Sequence, residues 1–162
     1  MKVGVISDTH ISSLKAGTRL AEYLLAGPFK NVAAILHAGD HVHPDLDSCF
    51  SPVPFYAVCG NMDKPNLHLP ERRIVQIAGK RIGMCHGWGP PNGIEQRVLD
   101  SFSRDKLDVL VFGHSHRPAC RKVGSVLLLN PGSPTDRRSA AFHTVALLHL
   151  CDAVSGEIIR ID

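Results

Sequence analysis

Short apolar runs rich in β-branched residues recur along the first two thirds of the chain and predict buried strands. These runs lie at positions 2–6, 33–36, 54–58, 81–85 and 108–112. Within four residues of its end, each run is followed by an Asp, an Asn or a His. Open α/β sheets bind ligands at the carboxyl ends of their strands, so we expect these polar residues to form one cluster at one sheet edge.

The segments between the strands predict helices that cover the sheets. A helix is predicted over 11–27, with Leu14 and Leu24 on its apolar face, followed by a short helix over 44–50. A third helix is predicted to start at 92–93. The first half of the chain therefore has a βαβαβ pattern, which is typical of a parallel sheet with right-handed crossovers.

The second half of the chain is dominated by turn signals between short strands. A polar loop is predicted over 64–70, and hairpin turns are predicted at 78–80, 123–125 and 155–156. Together the two halves predict an α/β fold with two stacked sheets and helices outside them. Because no linker or repeat divides the chain, we expect a single domain over 1–162.

Composition narrows the classes of function. The formal net charge of +3 is only mildly basic, so a small anionic substrate fits better than stable nucleic-acid binding. No apolar stretch is long enough for a membrane span, and no signal peptide is predicted. The five cysteines form no Cys-x-x-Cys pair, which favours reduced thiols in a cytoplasmic protein. A homo-oligomer is compatible with this composition.

The residues that follow the strands form a donor set of nitrogen and oxygen atoms without a thiolate. They are Asp8, His10, Asp40, Asn61, His86, His114 and His116. Such a set suits Mn²⁺, Ni²⁺, Fe or Zn²⁺, with Mn²⁺ as the first choice. Seven ligands are too many for one ion and fit two, with Asp40 on a central strand as the predicted bridge. Two ions about 3.5–4 Å apart clamp a phosphate and activate a bridging water, which predicts hydrolysis of phosphate esters.

The same residues carry a family resemblance. The motifs, in chain order, are Asp8-x-His10, Gly39-Asp40, Gly60-Asn61-x-Asp63, His86-Gly87 and Gly113-His114-Ser115-His116. They resemble the motifs of calcineurin-like metallophosphoesterases. The later Asn130-Pro131-Gly132-Ser133 resembles the small bacterial and archaeal phosphodiesterases of that superfamily. The resemblance runs from Ile6 to about Ser133 and implies a four-layer αββα sandwich of two mixed β-sheets flanked by helices.

The resemblance also assigns the predicted ligands to two ions. It implies that Asp8, His10 and His116 hold the first ion. It implies that Asn61, His86 and His114 hold the second, with Asp40 between them. Asp40, Asn61 and His86 are accordingly the predicted catalytic residues of a metal-dependent phosphodiesterase acting on small diesters.

Met62 departs from the larger members of the family. The protein phosphatases have a His at this position that helps to protonate the leaving group, and a thioether cannot donate a proton. The alternative function is a non-catalytic scaffold of the same fold, as in the retromer subunit, but all seven predicted ligands are present. Repair nucleases of this superfamily have an additional capping domain, for which 162 residues leave no room.

The sequence leaves the roles of five further residues near the motifs undecided. His41 and His43 follow the second strand and either contact substrate or face solvent. Trp88 either stacks on a nucleobase or packs against the neighbouring prolines. Arg137 and Arg138 either meet a phosphate or belong to the exposed surface, and Asp63 is expected to orient the Asn61 loop.

Overall fold

The computed structural model describes residues 1–64 and 68–162. In chain order its elements are β1 (Lys2–Ile6), α1 (Leu14–Ala26), β2 (Ile35–His37), a 3₁₀ helix (Asp47–Phe50), β3 (Phe55–Ala57), β4 (Arg72–Ile77), β5 (Lys80–Cys85), α2 (Ile94–Ser101), β6 (Val109–Val111), β7 (Ala119–Val123), β8 (Val126–Asn130), β9 (Thr144–His149) and β10 (Ser155–Arg160). In the described part of the chain no helix is long and apolar enough to cross a membrane.

The strands form two mixed sheets of five strands each, as predicted. The first sheet has the order β10-β9-β1-β2-β3, in which β1, β2 and β3 are parallel. The second has the order β4-β5-β6-β8-β7, in which β5, β6 and β8 are parallel. The parallel strands therefore lie at the centre of the second sheet and on one side of the first.

Three apolar clusters separate the layers. The central cluster lies between the sheets, where Val3 and Leu148 of one sheet meet Met84 and Leu129 of the other. A second cluster lies under α1 and the 3₁₀ helix. The third lies under α2 and includes Val98. Three buried interfaces separate four layers, so the αββα sandwich is confirmed.

The predicted helix boundaries are largely confirmed. Ser13 caps α1 by accepting a hydrogen bond from the backbone N–H of Ala16, and the helix ends at Gly27. The prediction that Leu14 lies on the buried face of α1 is wrong, because this residue is 44% exposed in the first turn of the helix. The helix predicted over 44–50 is only the short 3₁₀ helix, whose first residue receives no side-chain cap.

The turns are confirmed at 78–80 and 123–125, where Gly79 and Gly124 adopt left-handed backbone conformations. The turn predicted at 155–156 is wrong, because Ser155 and Gly156 belong to β10. A Cβ on Gly156 would lie 2.8 Å from Cys120 Sγ in the opposite sheet, so this glycine serves packing between the sheets. The polar loop predicted over 64–70 lies partly outside the described residues.

Candidate metal centre

The backbone that carries the predicted ligands has an unusual conformation. Left-handed φ values between +45° and +67° occur at five of the seven, namely Asp8, His10, Asp40, His114 and His116. Residues other than glycine rarely adopt this conformation, and such strain collects at functional sites. The loops after β1 and β2 are also bound to each other, since Asp8 N donates to Gly39 O and His10 N to Asp40 O, both at 3.0 Å.

Asp8 has one bound carboxylate oxygen and one that lacks a hydrogen-bond donor. Its Oδ2 accepts a hydrogen bond from the backbone N–H of His114 at 3.0 Å. Its Oδ1 is buried and, among residues 1–64 and 68–162, has no hydrogen-bond partner. This oxygen lies 3.3 Å from His116 Nε2 and 3.8 Å from His86 Nε2. A buried carboxylate oxygen without a donor is costly, and a metal ion would satisfy it.

Asp40 is arranged in the same way. Its Oδ1 accepts a hydrogen bond from the backbone N–H of Met62 at 2.7 Å. Its Oδ2 lies 3.4 Å from His86 Nε2 and 3.7 Å from His10 Nε2. A side chain at Gly60 would collide with this carboxylate, so only glycine permits the approach of the two loops. One free oxygen of Asp40 thus faces imidazoles on both sides.

Backbone carbonyls fix the orientation of three of the four predicted histidine ligands. The pairs are His86 Nδ1 with Ala38 O at 2.7 Å, His114 Nε2 with Gly89 O at 2.9 Å, and His116 Nδ1 with Asp136 O. Because a carbonyl can only accept, each of these ring nitrogens carries a proton, and in the neutral ring the other nitrogen has a free lone pair. Metal-binding histidines are typically held in this manner.

The free ring nitrogens point at further acceptors. His116 Nε2 lies 3.3 Å from His10 Nε2. Asn61 Oδ1 lies 3.1 Å from His86 Nε2 and 2.9 Å from His114 Nδ1. When both atoms of such a pair are acceptors, they repel each other unless a proton or a metal ion lies between them. The donor set therefore fits divalent transition metals.

The structure brings all seven predicted residues together in two overlapping groups. One group that could hold an ion is Asp8, His10 and His116, and the other is Asp8, Asp40 and His86. Asn61 and His114 join the second group through the contacts of Asn61 Oδ1. Asp8 belongs to both groups, and Asp40 Oδ2 also lies between them. Bridging by Asp40 thus remains a prediction, and Asp8 Oδ1 reaches both groups as well.

The electrostatics of the two carboxylates differ. Burial raises the pKa of Asp8 above its ordinary value, although His86 and His116 act in the opposite direction. Burial also acts to raise the pKa of Asp40, but the hydrogen bond and charge of His86 outweigh it and lower that pKa. Burial would lower the pKa of His86, but its hydrogen bond to Asp40 and the charge of Asp8 raise it. A cation in the site would replace the proton on His86.

Asp63 connects the loops that carry Asp40 and Asn61, as expected. Its carboxylate accepts hydrogen bonds from the backbone N–H groups of Asp40, Gly60 and Val42 at 2.9, 2.8 and 2.8 Å. His41 Nδ1 lies 3.1 Å from the same carboxylate. Burial would raise the pKa of Asp63, but His41 and these backbone groups lower it to about 2. This residue positions the ligand loops and does not face the cluster of free acceptors.

The Asn130-Pro131-Gly132-Ser133 segment also supports the centre, which the sequence did not reveal. Asn130 Nδ2 donates to Gly113 O at 3.0 Å, and Ser133 Oγ donates to Asp8 O at 2.7 Å. Thr135 Oγ1 donates to Thr9 O at 2.6 Å. These bonds hold the loops after β1 and β6, and the only sequence signal was the motif itself.

The structure shows the surroundings of four residues whose roles the sequence left undecided. His41 is buried at 3% exposure against Asp63, so it does not face solvent. His43 lies beside its own loop and accepts a hydrogen bond from the backbone N–H of Asp45. Arg137 donates to the carbonyls of its own loop, at Ala140 and Ala141, and Arg138 pairs with Asp136. Both arginines therefore belong to the exposed surface.

A two-sheet sandwich with imidazoles and carboxylates gathered at its strand ends defines a metal-binding α/β protein of the phosphoesterase type. A model of the calcineurin-like phosphoesterase superfamily domain matches residues 1–153. The chain belongs to this superfamily, whose members use divalent metals. It is 36% identical to a probable metallophosphoesterase of Methanothermobacter thermautotrophicus over 162 residues, which cover 99% of this chain and 92% of the relative.

Two solved structures show the same fold. A structure described as a novel archaeal phosphodiesterase has a TM-score of 0.77 at 23% identity and covers 99% of this chain and 100% of that chain. Wild-type Vps29 of Entamoeba histolytica complexed with Zn²⁺ has a TM-score of 0.72 at 21% identity, with 99% of both chains covered. Both likenesses concern the fold alone.

Proposed function

We propose that this protein is a metal-dependent phosphodiesterase with two divalent transition-metal ions. Asp8, His10 and His116 would hold one ion; Asn61, His86 and His114 would hold the other, with Asp40 as the bridge. The observation that carries the proposal is the buried Asp8 Oδ1, which has no hydrogen-bond partner among residues 1–64 and 68–162 and lies 3.3 Å from His116 Nε2 and 3.8 Å from His86 Nε2. When bound, the ions would activate a water molecule and neutralise charge on the phosphate.

The chain itself prepares the site for this chemistry. Carbonyl groups orient His86, His114 and His116, so no ring has to rotate when an ion binds. Backbone N–H groups hold Oδ2 of Asp8 and Oδ1 of Asp40, which leaves the other oxygen of each free. Preorganisation of this kind lowers the reorganisation required during reaction.

The preference for diesters with good leaving groups is supported by the surroundings of Met62. Met62 is 54% exposed at the position where larger relatives keep an acid, and its side chain cannot donate a proton. His41, one alternative acid, is buried against Asp63. A general acid typically contributes about 10²–10⁴-fold, so its absence favours leaving groups that need no protonation.

Hydrolysis by Mn²⁺-loaded protein tests the proposal. Bis(para-nitrophenyl) phosphate should be cleaved with a higher kcat/KM than para-nitrophenyl phosphate, and Asp40→Asn should abolish turnover. Asp152→Asn is the matched control, since Asp152 is exposed in the turn before β10. If the protein binds two ions but hydrolyses no ester, the phosphodiesterase proposal is refuted. That result would favour the alternative function, a non-catalytic scaffold of the same fold.

Five free thiols in the described structure support the expectation of a reducing, cytoplasmic location. The single domain over 1–162 and a homo-oligomer are likewise expectations. The proposed substrate is a small phosphate ester and not a nucleic acid that is stably bound.

A further inference from the structure

A cavity of about 430 Å³ opens directly beside two of the proposed ligands, Asn61 and His86. Its wall also includes Cys59, Glu71, Arg72, Cys85, Trp88 and Ser101. This volume lies in the range of small-molecule sites. Because the cavity is continuous with the proposed metal centre, a phosphodiester bound there would place one of its two organic arms in it.

Trp88 presents an aromatic surface to this cavity. The side chain is 50% exposed, so packing against the loop prolines does not bury it. Arg97 fixes the backbone of the loop that carries Trp88. It donates hydrogen bonds to the carbonyls of Trp88 at 2.9 Å, of Asn92 at 3.1 Å and of Pro90. The same loop accepts the His114 ring N–H at Gly89 O. The backbone that carries Trp88 is therefore fixed relative to the proposed ligand His114.

The remaining walls combine a neutral floor with a polar rim. Cys85, only 4% exposed, forms a buried and largely apolar floor. Arg72 is held over the Phe102 ring at 4.2 Å and paired with Asp105 at 2.5 Å. With Glu71 beside it, the rim offers both hydrogen-bond donors and an acceptor. A flat group with polar atoms on its edge matches these walls better than an alkyl chain.

We propose that this cavity binds the nucleobase of the substrate, stacked on Trp88, so that the substrates are small phosphodiesters with a nucleoside arm. The inference deepens the proposed function and rests on it. Stacking on an aromatic side chain accepts any base, because every base has a π-face.

Fluorescence provides a test that does not depend on hydrolysis. Trp88 is the single tryptophan of the chain, so its emission reports directly on the cavity. Metal-free protein titrated with adenosine monophosphate should show saturable quenching, whereas ribose phosphate should produce none. Equal responses to both probes, or no response to either, would overturn the inference.

Kinetics provide the second arm. Trp88→Ala should raise the KM for a nucleoside para-nitrophenyl phosphate roughly 5- to 150-fold, the loss expected for one stacked base. The loss for methyl para-nitrophenyl phosphate should be much smaller, and Trp88→Phe should restore most of the nucleoside preference. Tyr23→Ala, at a 52% exposed aromatic residue on α1, is the control. An equal loss for both substrates, or a hexyl diester favoured as strongly as the nucleoside diester, would contradict the nucleobase site.

The two proposals fail in different ways. Nucleotide quenching without hydrolysis of any ester would leave the base-binding cavity standing and refute the phosphodiesterase. Hydrolysis of aryl diesters with no quenching and no nucleoside preference would confirm the phosphodiesterase and refute the cavity assignment.

Discussion

Replacing Asp63 tests how far metal binding depends on the positions of the ligand loops, because Asp63 holds these loops but is not a proposed ligand. Its carboxylate joins two ligand loops by accepting the backbone N–H groups of Asp40, Gly60 and Val42, and it is only 8% exposed. In Asp63→Ala these three donors lose their acceptor at once. We expect a less stable protein and a weaker affinity for both ions, although Asp63 is not a proposed ligand.

The magnitude follows from the contacts. A buried donor left unpaired costs about 1–3 kcal/mol; the bond from Asp40 is buried and those from Gly60 and Val42 are partly buried, so we expect a loss of roughly 2–4 kcal/mol in the free energy of unfolding. The lowered pKa of Asp63 reflects the same contacts together with that of His41. Its decrease from the ordinary value of 3.8 to about 2 corresponds to roughly 2 kcal/mol of stabilisation by the ionised carboxylate. Because this pKa is lowered, the contribution is present above about pH 4 and is lost as the pH falls towards 2.

Urea unfolding of metal-free protein at neutral pH measures the first figure. Asp47→Ala is the control, because the exposed Asp47 accepts, within the described part of the chain, a single hydrogen bond from Ser48, so its loss should change stability by less than about 1 kcal/mol. If Asp63→Ala does not fold, Asp63→Asn can be used instead, because it keeps the side-chain volume. Asparagine does not titrate, so this variant should lose less stability than the wild type as the pH falls from about 4 towards 2. An Asp63→Ala protein as stable as the control would refute the reasoning.

Three further predictions concern the ions and the leaving group. Elemental analysis of fully loaded protein should find two ions per chain, and Asp40→Asn should weaken both sites; at most one ion in the wild type would contradict this. Structures of loaded variants should show that His10→Ala and His116→Ala empty the same site, whereas His114→Ala empties the other. Met62→His should raise the rate for leaving groups of high pKa, provided that the imidazole reaches the leaving oxygen. A wild-type rate that hardly depends on leaving-group pKa would show that protonation is already supplied.

The layered fold was predictable from local patterns, since buried strands read as apolar runs and every central strand was found. The predictions failed where one sequence pattern is compatible with two different structures. Ser155-Gly156 is a typical turn pair, yet Gly156 is small because β10 packs against Cys120 of the other sheet. Leu14 has helical spacing with Leu24, but it is the first residue of α1 and is 44% exposed.

The residues of the candidate metal centre could also be predicted, because each lies within a few residues of the end of a strand. Their orientation could not. The ring nitrogens are set by the carbonyls of Ala38, Gly89 and Asp136, and a backbone carbonyl has no sequence signature. For the same reason, the sequence could not show which oxygen of Asp8 stays free. His41 resembled an exposed loop residue until the structure paired it with Asp63.

The strain at the centre bears on whether the site binds metal ions. Five non-glycine residues with left-handed backbones cost on the order of 1 kcal/mol each, a sizeable part of the net stability of a domain. A ligand that binds only the folded state at 1,000 times its Kd contributes about 4 kcal/mol, which is comparable. The strained loops are those that aim Asp8, Asp40 and the histidines at one space. Metal binding would offset this cost in an enzyme and in a metal-binding scaffold alike, so the strain supports a metal centre, and measured turnover has to separate the two functions.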